Sequence, residues 1–147
     1  MVLTDERSNN LDLLPGIDTK IDSIIGSTGS FLEQADTPVT INAILASETD
    51  VLDLNVADTK YIVRNLRLKS ADPGANTVTV RLRELINDVS TITDTFTITT
   101  ANFGTYHSLM DMFGVPHLAG DDIQVTVQAS AGGPYAVTGQ YSHAKAD

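Results

Sequence analysis

The sequence contains no cysteine and no tryptophan, and phenylalanine and tyrosine together make up only 5% of it. The missing thiols exclude disulfides, thiolate metal sites and cysteine nucleophiles together, and they leave the redox compartment open. With so few aromatic rings, a core must be packed from Val, Ile and Leu, and the β-branched members of that set suit pleated sheets. No run of 18 apolar residues exists, so nothing reads as a membrane-spanning helix. Residues 1–15 carry Asp5, Glu6 and Arg7 where a basic and then apolar run would stand, so no signal peptide is expected. Cations are scarce as well: nine Lys and Arg face nineteen Asp and Glu, a net charge of -10. That balance argues against nucleic acid or an anionic membrane as partner, because phosphate binding needs a cationic surface.

The chain does hold 41% hydrophobic residues in 147, enough for one core and a modest appendage. Its most distinctive pattern is Ile17, Ile21, Ile24, Thr28 and Phe31, a 4-3-4-3 spacing that marks one stripe of a helix. The spacing predicts a helix over residues 16–34, with Asp18 and Asp22 in its first turns where the dipole favours anions. Gly26 and Gly29 each weaken it by about 1 kcal/mol relative to alanine. A helix of that length is marginal alone, so something must cover the stripe. Either it folds back on its own domain or it meets copies of itself, and isoleucine at both seam positions leans toward three strands. Ahead of it, residues 1–15 are polar and end in Leu11, Leu13, Leu14 and Pro15. They read as an arm that orders against a neighbour, or as a disordered terminus.

After a linker over Ala35 to Pro38, the period changes to two. Eight candidate strands follow: Val39 to Leu45, Val51 to Val56, Tyr61 to Lys69, Thr77 to Leu85, Thr91 to Thr99, Thr105 to Phe113, Ile123 to Ser130 and Tyr135 to His143. Turn residues such as Asp72-Pro73-Gly74, Asn87-Asp88 and Gly132-Gly133-Pro134 separate them. The expected fold is therefore mainly β, an eight-stranded antiparallel, jelly-roll-like sandwich over 39–147, preceded by the arm and the short helix. Val78, Val80 and Leu82 should face the core, as should Ile123, Val125, Val127 and Ala129.

Chemistry is thinly signalled. His107, His117 and His143 lack ligand spacing, so no metal is expected and surface or strand-end positions are the default. There is no HExxH, EF-hand loop or glycine-rich phosphate loop, and Gly120-Asp121-Asp122 reads as a turn, with binding of a cation by its paired carboxylates as the lesser alternative. Nothing resembles a nucleophile elbow. A hydrolase would require two carboxylates in one cleft. The expectation is a non-enzyme with no catalytic residues and no cofactor. Thr91, Thr93, Thr95, Thr97 and Thr99 form a regular row, either a solvent-facing strand or a flat contact for a sugar or ice.

The cations are concentrated: Lys60, Arg64, Arg67, Lys69, Arg81 and Arg83 fall within 24 residues. Arg67 and Lys69 share one face of a strand and Arg81 and Arg83 one face of the next, so a hairpin would set like charges side by side. Either Glu84 or Asp88 neutralises them locally, or they form a docking patch for an acidic surface, a task for which bidentate arginine is suited.

The order of parts, a helix carrying Ile17-Asp18-Thr19-Lys20-Ile21-Asp22-Ser23-Ile24-Ile25 and then strands such as Asn76-Thr77-Val78-Thr79-Val80-Arg81 and Asp122-Ile123-Gln124-Val125-Thr126-Val127, resembles small virion structural proteins of tailed bacterial or archaeal viruses. The resemblance covers nearly the whole chain. It implies a capsid decoration, cement or turret protein on the virion surface, a homotrimer that stabilises the assembled lattice of the major capsid protein by binding it. In that picture Leu11, Leu13 and Leu14 serve the arm, Ile17, Ile21, Ile24 and Phe31 the trimer seam, and Arg67, Lys69, Arg81 and Arg83 the electrostatic contacts. The alternative is a tail-tip or carbohydrate-binding sandwich that recognises a cell-surface glycan. It would need exposed tyrosines clustered among Tyr61, Tyr106, Tyr135 and Tyr141.

Overall fold

The computed structural model describes residues 35–146. The arm and the seam helix, with Leu11, Leu13, Leu14, Ile17, Ile21, Ile24 and Phe31, lie outside the described residues. In chain order the elements are β1 (Thr37–Ala43), β2 (Thr49–Leu54), β3 (Lys60–Ser70), β4 (Val78–Ile86), β5 (Val89–Ile98), β6 (His107–Ser108), α1 (Leu109–Phe113), β7 (Leu118–Asp121), β8 (Ile123–Ala129) and β9 (Tyr135–Lys145).

Two antiparallel sheets result. One runs β1-β9-β3, with β6 and β7 both pairing to β3, and the other runs β2-β8-β4-β5. The pairings are nested: β1 with β9, β2 with β8, β3 with β6 and β7, β4 with β5. The first half of the chain thus lies antiparallel to the second, as a long hairpin rolled into two layers would, which is a jelly-roll order. Between the layers Val63, Leu66, Leu68, Val78, Val80, Ile98, Ile123, Val125, Val127 and Val137 have no solvent exposure. Burying each such side chain stabilises the fold by roughly 1.5–3 kcal/mol before entropy is counted.

The alternation read from sequence sets the faces of β4 and β8 as expected, with Val78, Val80, Leu82, Ile123, Val125, Val127 and Ala129 buried. Three local features depart from it. The strand expected over Thr105 to Phe113 is a two-residue β6 followed by helix α1. Ser108 caps that helix: its Oγ accepts from the Asp111 backbone N–H at 3.3 Å, and the Asp111 carboxylate accepts from the Ser108 backbone N–H at 2.8 Å. Leu109, Met112 and Phe113 are buried, and Gly114 closes the turn at φ 70°. With β7 replacing part of an expected turn, the strands among the described residues number nine rather than eight.

The second departure is a bulge in β3 between Arg64 and Arg67, where Asn65 takes φ 53°. The extra residue keeps Leu66 in the core while Arg64 and Arg67 both stay outside, opposite Ser142 and Gln140 of β9. Beside it β9 supplies Gly139, paired with Leu68; a Cβ there would fall on the Arg67 carbonyl oxygen. Only glycine permits that approach.

The third is a bulge in the β4–β5 pair, where Leu82 faces Asp94 and Arg83 faces Ile92, leaving Thr93 over. It breaks the expected threonine row. Thr95 and Thr97 stand opposite Arg81 and Thr79, whereas Thr91 stands opposite Glu84. Beyond the bulge, Asn87 and Asp88, both at positive φ, make the two-residue turn of a hairpin whose Leu85, Ile86, Val89 and Ile92 remain exposed.

Candidate functional site

The nested topology decides what becomes of the clustered cations. β3 and β4 do not form a hairpin: the chain crosses between sheets over residues 71–77, so Arg67 and Lys69 lie on the outer face of one sheet and Arg81 and Arg83 on the outer face of the other. The expected single patch is therefore two, facing away from each other. A connection of that length closes a hairpin or crosses a sandwich equally well, and sheet order alone chooses.

On the β4 sheet the arginines are answered, by neither Glu84 nor Asp88 but by Glu48 from the loop between β1 and β2. Arg83 grips it with two bonds, Nε to Oε2 at 3.0 Å and Nη2 to Oε1 at 2.9 Å. Arg81 Nη1 reaches Oε1 at 3.2 Å and donates also to Gln128 Oε1 at 2.9 Å. The Thr126 hydroxyl, itself almost fully buried, donates to Glu48 Oε2 at 2.7 Å. The hydrogen bond from Arg83 holds the Glu48 carboxyl below its usual range, against the opposing effect of partial burial. The same bond raises the Arg83 guanidinium. The cluster is a clamp that ties the β1–β2 loop onto the sheet.

On the β3 sheet nothing comparable exists among the described residues. Arg64, Arg67 and Lys69 follow one another on the outer face, opposite Ser142, Gln140 and Thr138 of β9. Among the described residues no carboxylate lies within 4.0 Å of any of them, and the ion pairs are those of Glu48. The residues of β1, β3 and β9 include no Asp or Glu. The carboxylates around this face are hydrogen-bonded: Asp36 accepts from Gln140, itself opposite Arg67, at 2.7 Å, Asp111 from Ser108, and Asp72, which lines a hollow with Lys69, from the Gly74 backbone N–H and the Thr100 hydroxyl. Lys69 sits over the Tyr106 ring at 4.6 Å, and exposed Met110 shares a shallow hollow with Asn65 and Arg67. Arg64 belongs to this row only because of the bulge, which a strict period-two reading does not anticipate.

The other candidate chemistry is dispersed. His107 Nε2 meets the Asn102 carbonyl at 2.8 Å. His117 is exposed, and His143 lies between Tyr61 and Tyr141, held below its usual pKa by burial. Among the described residues no three His, Asp or Glu side chains are placed to hold a metal ion. A cleft of about 420 Å³ is lined by Glu84, Asp94, Thr93 and His117 together with Phe113 and Leu118. The Asp94 carboxylate there accepts from the Thr95 backbone N–H at 2.7 Å and is not hydrogen-bonded to Glu84 or His117. The tyrosines form no exposed cluster: Tyr106 is 51% exposed, Tyr61 is 4% exposed, and Tyr135 and Tyr141 pack against the core. No helix among the described residues is long and apolar enough to cross a membrane.

No protein-family model and no curated protein matches the chain. Among solved structures it is similar to a chain from Bacillus endospore appendages, described as a family of disulfide-linked pili. The two share 17% identity at a TM-score of 0.45, over 78% of this chain and 84% of that one. This degree of likeness carries no functional argument.

Proposed function

We propose that this protein is a non-enzymatic structural subunit of a surface-exposed assembly, and specifically a virion decoration, cement or turret protein. The observation that carries the reading is the outer face of the β3 sheet. In a chain of net charge -10, three successive cations with no carboxylate partner among the described residues occupy one sheet face. Like charges in a row are unfavourable unless anions answer them, and a protein surface that keeps them is suited to a neighbour that brings those anions. The heptad stripe Ile17, Ile21, Ile24 and Phe31 supplies the second contact, a homotrimer seam, and Leu11, Leu13 and Leu14 the arm that reaches the neighbouring lattice subunit. The scattered tyrosines give no support to a glycan platform.

Light scattering tests this directly. The full chain should have a mass of three times 15.7 kDa, and Ile21→Asp with Ile24→Asp should reduce it to one copy with the β-sheet circular dichroism kept. A wild-type monomer would refute the seam, and loss of sheet signal in the variant would show the stripe packing on its own domain instead.

A further inference from the structure

The assembly reading leaves open which acidic surface the cationic face receives, and the charge map of the same chain supplies one. The register puts the ends of β2, β4 and β7 and the starts of β3, β5 and β8 at one end of the sandwich: Leu54 pairs with Ile123, Ile86 with Val89 and Lys60 with Asp121. That end carries Asp53, Asp58, Glu84, Asp88, Asp121 and Asp122 against Lys60, Lys145 and Arg83, the last level with Asp53 and already taken up by Glu48. Its anions are crowded: burial, with Asp50 and Asp122 nearby, raises the Asp53 pKa. A cation arriving from outside would relieve the repulsion. The same end presents the exposed apolar side chains of Ile86, Val89 and Val56.

The cationic face is its counterpart in both respects. It offers Arg64, Arg67 and Lys69 for the carboxylates, and exposed Tyr106 and Met110 beside them for the apolar tip. We infer that the outer face of the β3 sheet receives the acidic hairpin end of a second copy of this chain. The two surfaces are different parts of the molecule, so the contact is head-to-face. A heterologous contact of this kind repeats from copy to copy, closing into a ring or continuing as a filament. It rests on the assembly reading but is independent of the proposed N-terminal seam.

Net charge opposes the contact and local charge favours it, which fixes the salt dependence. At about 0.15 M salt, charges more than about 8 Å apart are largely screened, while pairs in the interface persist. At about 1 M salt the screening length falls to about 3 Å and the interface pairs weaken too. Sedimentation velocity of the full chain should therefore show association rising with protein concentration at the lower salt and disappearing at the higher.

Two full-length variants test the partners, each first shown folded by circular dichroism. Arg64→Glu with Arg67→Glu and Lys69→Glu should abolish the association. Asp88→Lys with Asp121→Lys and Asp122→Lys should abolish it as well, although that variant carries less net negative charge. Mixing the two should restore association at least tenfold over either alone, because each reversed surface again meets its opposite. Wild-type chain that does not associate at the lower salt, association that either variant retains, or a mixture that stays dispersed would overturn the inference. Polyglutamate captured through the cationic face by a chain that does not self-associate would assign the face to another acidic partner and overturn it too. Failure of the assembly reading is seen separately, in the mass at about 1 M salt, where only the apolar seam holds copies together.

Discussion

The two outer faces of the sandwich carry similar cations and use them differently. On the β4 sheet, Arg81 and Arg83 are partly buried, with side-chain exposures of 22% and 24%, and share one carboxylate, Glu48, that itself retains 25%. On the β3 sheet, Arg64 and Arg67 are exposed and meet no carboxylate among the described residues. Partial exclusion of water makes the first set a structural clamp, since a charge-assisted bond gains strength as the local dielectric falls. Exposure keeps the second set hydrated, where a charge contributes little to folding. Equal charge therefore does not mean equal role; the proximity of a long-range anion decides.

That contrast can be tested from its foundation outward. The largest effect is expected at Gly139, where a methyl group would fall on the Arg67 carbonyl and force apart the strands that carry the cationic row. Gly139→Ala should cost about 3 kcal/mol or prevent folding, read from urea unfolding midpoints, since clashes with backbone are among the few single changes with effects this large. A shift under about 0.5 kcal/mol would show that β9 moves aside freely.

A middle-sized effect is expected from Glu48→Ala, which leaves two guanidinium groups and the Thr126 hydroxyl without their shared acceptor. The cost should be about 1–2 kcal/mol, between the values for exposed ion pairs and for charged hydrogen bonds. The pH dependence follows from the sign of the shift. Because the folded-state pKa of Glu48 is depressed, the unfolded chain binds more protons in acid. The clamp's contribution is thus complete above the ordinary glutamate value near 4.5 and is lost as pH falls through the lower, folded value. In the wild type, stability should fall more steeply below about pH 4.5 than in the variant; parallel curves would mean the clamp does not contribute.

The smallest effect on stability belongs to the open face. Arg64→Gln with Arg67→Gln should move the unfolding free energy by less than about 0.5 kcal/mol, as substitutions on exposed surface do. A larger loss would mean that the face is neutralised in the monomer and is not a free surface.

Much of this could be read from local pattern, because alternation needs only neighbouring residues. The Val78, Val80, Leu82 face and the Ile123, Val125, Val127 face follow from period two, as do the outward positions of Arg67, Lys69, Arg81 and Arg83. Helix α1 was also legible, through Ser108 and Asp111 at capping-box spacing and Gly114 beyond, but apolar residues in that window also fit a strand. The bulges were not legible. Asn65 and Thr93 each shift the phase of a strand by one, which brings Arg64 outside and breaks the threonine row, and a single inserted residue leaves no periodic trace.

By itself the sequence determined the class of fold, the inward faces of its cleaner strands and the scarcity of cations, since each depends on composition or on contacts a few residues apart. Tertiary structure alone decided that β3 and β4 part into opposite sheets and that Glu48, more than thirty positions away in sequence, reaches Arg81 and Arg83. Strand order and long-range ion pairs arise from closing the whole chain into two layers, and no window of neighbouring residues carries that information.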